Sequence, residues 1–426
     1  IKREALRFEK LWGWFMRSHE QQLELTIPRS ESIKQGLINF WNGGSEQQTF
    51  DRMLLWCALF LLGLGFVMVA SASMPIAERL VGNPFHFVTR HGIYLVLSFI
   101  IGAVLLMVPT GLLDRYNYSL CMAALALLVL VLAIGHQVNG ATRWIKVGPI
   151  TIQAAEFAKL FFFIFLASYL NRRYDEVRKN ARGFVKALAV MGIMSLLLLQ
   201  QPDLGTVVVI TFTAMGMLFI AGARMFHFVA LLITFLVLFV FLIVVEPYRM
   251  RRVTSFMDPW EDPFGSGYQL TQSLMAFGRG DIAGQGLGNS IQKLQFLPEA
   301  HTDFILAVIG EELGFLGVLL TIGLVMVIVV KALTLGQRAL RQKRAFGGYL
   351  AHGIGIWFFF QAAVNMGAAA GVIPTKGLTM PLISYGGNSL MVMSAAVAIL
   401  LRVDYEVRTG YTMPDNNAKK AAGGTA

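Results

Sequence analysis

Ten apolar runs, each of the length a lipid bilayer demands, decide what this chain can become. They lie at about 54–73, 92–108, 117–135, 154–170, 185–200, 204–221, 226–245, 304–330, 349–371 and 383–401. A helix needs roughly 20 apolar residues to cross the hydrocarbon core. Inside that core every backbone N–H and C=O must be satisfied within the segment, which a helix does. The expected fold is therefore an all-α, polytopic membrane protein of about ten transmembrane helices. Composition agrees: 56% of the residues are hydrophobic and 14% charged, against about 25% charged in soluble domains. Gln201, Pro202 and Asp203 separate the fifth and sixth runs and read as a tight turn between two helices. Cys57 and Cys121 fall inside apolar runs and read as small buried hydrophobes, not as a disulfide or metal site.

Lys and Arg set the orientation. With the N-terminus inside, the inner connections hold 24 of the 36 basic residues and the outer ones 10; Lys159 and Lys186 lie within spans. The excess of positive charge inside places both termini in the cytoplasm. The expected organisation is a cytoplasmic tail at 1–52, a membrane domain at 53–405 and a second cytoplasmic tail at 406–426. The net charge of +11 needs no nucleic acid to account for it, since anionic inner-leaflet lipids favour such an excess.

This topology puts one large loop outside, at about 246–302, between the seventh and eighth helices. A loop this long is functional or disordered, and its aromatic and apolar content argues against disorder. Residues 268–277 have the makings of a short helix on the membrane surface. Gly284, Gly286 and Gly288 are read as a turn-rich segment, because no strand precedes them as a phosphate cradle would require.

The loop ends on Leu297-Pro298-Glu299-Ala300-His301-Thr302-Asp303-Phe304-Ile305, directly before the eighth apolar run. Asp303 therefore sits where a membrane helix meets water, the height at which a lipid-linked substrate presents its headgroup. Two readings of Asp303 stand side by side: a proton acceptor, or an N-cap for the helix that follows. Glu299 and His301 are weaker candidates for the same site. Glu156 and Lys159 are three residues apart on the fourth span and share a face. Ionisable residues within a span face a cavity or a partner, so this pair is either a structural ion pair or part of a substrate cavity. Gln361 and Asn365 share a face of the ninth span and read as interhelical hydrogen bonders. Gln201 and Asp203 terminate helices at the outer surface and are candidates for substrate contact. Ser384, in Ser384-Tyr385-Gly386-Gly387 at the start of the last helix, is another. Of Glu311 and Glu312, about 100° apart on their helix, one is expected to meet a basic partner. Arg143, Lys146, Lys376 and the cluster Arg249, Arg251 and Arg252 are the outer cations available to an anionic group.

Five separated segments, in order, resemble the SEDS family (shape, elongation, division and sporulation). They are Gln201-Pro202-Asp203-Leu204-Gly205-Thr206, the loop from Asp258-Pro259 to Tyr268, the Asp303 segment above, Glu311-Glu312-Leu313-Gly314, and Pro381-Leu382-Ile383-Ser384-Tyr385-Gly386-Gly387. Pro374-Thr375-Lys376-Gly377-Leu378-Thr379, with Trp260, is similar to the cell-division branch of that family. Asn388 departs from the smaller Ser or Thr that many members carry there. The resemblance implies an inverting glycosyltransferase that polymerises lipid II, an undecaprenyl-pyrophosphate-linked disaccharide peptide, at the outer face of the bacterial cytoplasmic (inner) membrane, at the division septum. It implies that Asp303 is the essential acid. Partners implied are a class B penicillin-binding protein transpeptidase, other divisome membrane proteins and membrane lipids. No tightly bound cofactor is expected, and a divalent cation (Mg2+ or Mn2+) bridging pyrophosphate and a carboxylate such as Asp303 is compatible with the chemistry. A lipid II flippase and a non-catalytic scaffold are the alternative readings. Both are disfavoured by polar residues concentrated in the outer half of the chain and by the position of Asp303.

Overall fold

The computed structural model describes residues 49–138, 141–148, 150–179, 181–374 and 377–411. The chain divides into two units, Ile1–Met53 and Leu54–Ala426.

Each of the ten expected spans coincides with a helix. They are α1 (Arg52–Val81), α2 (His86–Met107), α4 (Asn117–Ile134), α5 (Ala154–Arg172), α7 (Ala181–Gln200), α8 (Leu204–Ile220), α9 (Met225–Val245), α12 (Ile305–Arg341), α13 (Ala345–Ala369) and α14 (Gly387–Thr409). Among the described residues seven helices are long and apolar enough to cross a membrane by length and composition; α8 is shorter at 17 residues. The remaining α-helices among the described residues are α3 (Thr110–Arg115), α6 (Tyr174–Lys179), α10 (Pro247–Met257) and α11 (Tyr268–Gly280), and a π-helical turn covers Gln292–Phe296.

Helices that are apolar all round belong either in a core or in lipid, and this chain uses both solutions. α5 is the hub: 83% of its span is buried, against α4, α13 and α14 among others. α9 is its opposite, with none of its span buried. Polar side chains on α5 must therefore find partners inside the protein, whereas on α9 Thr234 turns its hydroxyl back to Ala230 O at 2.8 Å.

Two features depart from the expected scheme. The outer connection from α4 to α5 is not a plain loop. It forms an antiparallel sheet of β1 (His136–Val138), β2 (Ala141–Val147) and β3 (Ile150–Gln153), in that order, with Val147 opposite Ile150. The β-branched and aromatic residues Thr142, Trp144 and Ile145 of β2 suit a strand, and Ile145 is buried. The second departure is in α12, expected to run unbroken, which is interrupted at Gly314 (φ 67°, ψ −167°). The backbone groups freed there are taken up by the outer loop. Phe315 N donates to Asp281 O at 2.8 Å, Gln285 N to Glu311 O at 2.9 Å and Gly286 N to Glu312 O at 3.0 Å. The glycine-rich stretch thus spends its N–H groups on mending a helix, not on an anion.

Both Glu311 and Glu312 are paired, where one was expected to be. Arg279 reaches Glu311 at 2.6 Å and Lys293 reaches Glu312 at 2.7 Å. The loop lies along the broken helix on both sides, so two carboxylates that diverge each meet their own cation. Gly284 is the close-approach point. Its φ is +80° and a Cβ there would lie 2.2 Å from Glu312 O. Gly284→Ala is accordingly expected to lower the melting temperature in detergent, with a loss of roughly 1–3 kcal/mol from backbone strain and more if the loop detaches from α12; an unchanged melt would show that the loop is not anchored there.

α11 is the short helix anticipated at 268–277, but it does not merely rest on a membrane surface. Leu270, Thr271, Gln272, Ser273 and Ala276 are buried, and it packs on α12 and α13.

Candidate active site

The turn that leads into α12 is gathered around Glu299, whose backbone is left-handed (φ 56°). Its carbonyl accepts from Thr302 N at 3.2 Å and Phe304 N at 3.1 Å, and Thr302 Oγ1 donates to its carboxylate at 2.6 Å. The cap position of α12 is Phe304, with no side-chain cap. Asp303 is therefore not the cap, and its carboxylate stands clear of the helix end. One wall beside it is Gly377, where a Cβ would come within 2.9 Å of Asp303 Oδ2.

Burial pushes the Asp303 carboxyl up to about 7; Glu299 adds to the shift, the guanidiniums of Arg143 and Arg252 oppose it, and Asp203 adds a little. Two cations and two other carboxylates thus share the field of one partly buried acid. A proton acceptor works best when its proton affinity lies near the working pH, and this environment moves a carboxyl into that range.

Arg143 projects from β2 and ties the sheet to the α7–α8 turn. Its Nε donates to Gln201 O at 3.1 Å and a terminal nitrogen donates to Pro202 O. Gln201 and Asp203 terminate helices as expected: Gln201 Nε2 donates to Leu128 O of α4 at 3.0 Å, and Asp203 caps α8 by accepting from Thr206 N at 3.3 Å, with a second bond from Thr206 Oγ1 at 2.7 Å. The Gln201 amide nitrogen and the Asp203 carboxylate are engaged within the protein.

Glu156 and Lys159 form a buried ion pair at 2.9 Å, with the two side chains 5% and 0% exposed. Lys159 Nζ also donates to Gln361 Oε1 at 2.9 Å and lies 5.2 Å from the Trp357 ring centre. These contacts point the ammonium into the protein. His301 is buried in an aromatic cluster, 5.1 Å from Phe87 and 5.4 Å from Tyr385 between ring centres. Burial lowers its proton affinity, against the opposing charge of Glu299, and its backbone carbonyl accepts from Tyr385 N at 2.9 Å. Ser384 Oγ accepts from Met380 N at 2.8 Å and closes the turn before α14. Lys376 lies outside the described residues. Arg249 turns back to donate to Leu242 O at 2.9 Å, so of its cluster Arg252 is the member that acts on Asp303.

Sequence reading singled out 377–379 as part of a branch motif but not as a wall of the Asp303 site. Gln361 Nε2 donates to Thr379 O at 3.1 Å; Asn365 Nδ2 donates to Leu378 O at 2.6 Å and to Asp303 O at 2.7 Å. Asn365 was read as joining helices; it joins backbone loops instead. Asn388, on α14, donates to Thr151 O of β3 at 2.7 Å, a contact that no helical pattern signals. Among the described residues no group of three His, Cys, Asp or Glu side chains converges as metal ligands do, and no step below runs through a metal. A cavity of about 250 Å³ lies at the far end of the helices, lined by Thr110, Lys343, Arg344 and Glu406, and is not part of this site.

The family model described as a cell cycle protein, FtsW/RodA/SpoVE, matches residues 52–409. The chain belongs to this family. Similar members include the probable peptidoglycan glycosyltransferase FtsW of Idiomarina loihiensis, 57% identical over 91% of this chain and 96% of that one. The protein of the same description from Aliivibrio salmonicida is 57% identical over 90% of this chain and 96% of its own. Among solved structures, a chain from a peptidoglycan synthase complex, described for the coordination of polymerization and crosslinking, is 31% identical and superposes with a TM-score of 0.66 over 84% of this chain and 98% of that one. The rod shape determining protein RodA of Thermus thermophilus is 27% identical, with a TM-score of 0.62 over 85% and 99%. The family accounts for the multi-pass helical membrane architecture described above.

Proposed function

We propose that this chain is the peptidoglycan glycosyltransferase of cell division, polymerising lipid II into glycan strands at the outer face of the cytoplasmic membrane. The observation that carries the reading is Asp303: a carboxylate at the mouth of a membrane helix that does not cap it, its proton affinity raised to about 7 by burial, in the field of Arg143 and Arg252. Asp303 takes the proton from the acceptor sugar hydroxyl. The freed oxygen forms a bond to the donor anomeric carbon, the bond from that carbon to the pyrophosphate oxygen breaks, and undecaprenyl pyrophosphate leaves. The proton ends on Asp303 and the new negative charge on the pyrophosphate, where Arg143 and Arg252 are the cations at hand. Positioning and charge stabilisation supply the rest of the barrier reduction.

A glycan strand made this way needs crosslinking, and a single-pass class B penicillin-binding protein is the partner proposed, with other divisome proteins acting on the pair at the septum. The Lys and Arg distribution supports a cytoplasmic position for both tails. A divalent cation, if it takes part, would be held largely by the substrate's own phosphates. The test is reconstitution of the full chain with its transpeptidase, the latter's crosslinking blocked, supplied with lipid II. Glycan ladders on a gel are expected. Flipping of lipid II across the vesicle without ladders would replace this reading with transport.

A further inference from the structure

The segment 377–379 runs between Asp303 and α13 and is fastened at successive residues. Leu378 packs its side chain on Gly205, where a Cβ would lie 3.2 Å away. Thr379 Oγ1 meets Ser389 Oγ at 2.8 Å, and its carbonyl accepts from Gln361. Gly377 faces the Asp303 carboxylate. One side chain joins this segment to the Asp303 turn: Asn365, 1% exposed, a single amide nitrogen bonded to backbone oxygens on both sides.

We propose that Asn365 is a positioning residue, whose amide, by donating to the backbone oxygens of Asp303 and Leu378, sets the spacing between the proton acceptor and the 377–379 wall of the site. The inference rests on reading Asp303 as that acceptor. Asp303 and Leu378 are far apart in sequence, and neither oxygen is served by a helix or strand ladder. The two bonds, at 2.7 and 2.6 Å, are the shared link. Asn365 Oδ1 is buried and has no donor. An amide nitrogen that donates one N–H to each side fixes the separation of the two carbonyls it bonds. A carboxylate held to within an ångström of its working place is what such a tie protects, since displacement on that scale costs about 10²-fold in rate.

The experiment uses the full chain with its transpeptidase partner and lipid II, measuring kcat and KM across pH for Asn365→Leu and Gly377→Ala. Asn365→Leu removes both donors at similar size. It is expected to lower kcat about 10²-fold per folded molecule with KM little changed. It is also expected to shift the rising limb of the pH profile toward acid, because a loosened Asp303 meets more water while Glu299, Asp203, Arg143 and Arg252 are untouched. Gly377→Ala keeps the Asn365 bonds and pushes on Asp303 Oδ2 from the opposite wall; it too is expected to lower kcat, and it carries the test if Asn365→Leu does not fold. A folded Asn365→Leu or Gly377→Ala with wild-type kcat and limb overturns the inference alone, as does a lower melting temperature with kcat per folded molecule unchanged. Wild-type activity in Asp303→Asn overturns the reading of Asp303 itself, and the inference with it.

Discussion

Asp303→Asn is expected to cut strand synthesis by roughly 10²–10⁴-fold in a protein that still folds. The amide matches the carboxylate in size and accepts no proton. The pH profile supplies a second, independent signature. Burial raises the carboxyl to about 7, so below that pH the group already holds a proton and cannot take another. kcat/KM should rise with pH through about 7, not near the ordinary carboxyl value of ~4. Stability runs the other way. The folded state binds the Asp303 proton more tightly than the unfolded state does, so this group's contribution is fully present below ~4 and is lost as pH climbs toward the folded value. Asparagine has no such loss. Well above pH 7 the variant should melt no lower than wild type, and higher if nothing else changes. Ladders of equal length from both proteins would remove Asp303 as the proton acceptor, and a variant that melts far lower would make the activity comparison void until refolded material is compared.

How much of this was legible in the sequence depends on the length scale of each signal. Apolar runs extend over whole elements, and all ten landed on helices. The polar residues flanking them were legible as to place: the Asp303 segment, the α7–α8 turn, the start of α14. What the sequence did not reveal is pairing between distant backbone segments. A break at Gly314 is locally a glycine among many; its meaning comes from Asp281 and Gln285 bonding across it. Asn365 and Gln361 follow helical spacing, which suggested neighbouring helices, and one bond does cross, from Lys159 to Gln361. Their amides also reach carbonyls in an irregular segment with no periodicity to read. β2 was hidden because its seven residues do not alternate apolar with polar and sit between two apolar runs that dominate the local pattern. The choice between cap and acceptor for Asp303 turned on one residue of helix register, a scale at which sequence patterns are silent.

The buried pair on α5 should govern folding more than chemistry. Lys159 is wholly buried, and its three neighbours are Glu156, Gln361 and Trp357. Lys159→Met keeps the length of the side chain and removes the charge, which strands the Glu156 carboxylate in the interior with one oxygen already lacking a donor. Breaking a buried pair from one side costs about 3–5 kcal/mol, so a large fall in melting temperature in detergent is expected. Glu156→Gln combined with Lys159→Met removes both charges and should recover much of that loss, because the penalty arises from the unpaired ion and not from the missing attraction. The cycle of single and double variants separates the two terms. Activity per folded molecule decides the remaining question. A lysine that met the substrate would lower turnover at an unchanged melting temperature, and the double variant would stay inactive. A lysine that supports the core lowers the melting temperature first, and the double variant regains both fold and turnover, since Gln361 keeps its own bond to Thr379 O at 3.1 Å.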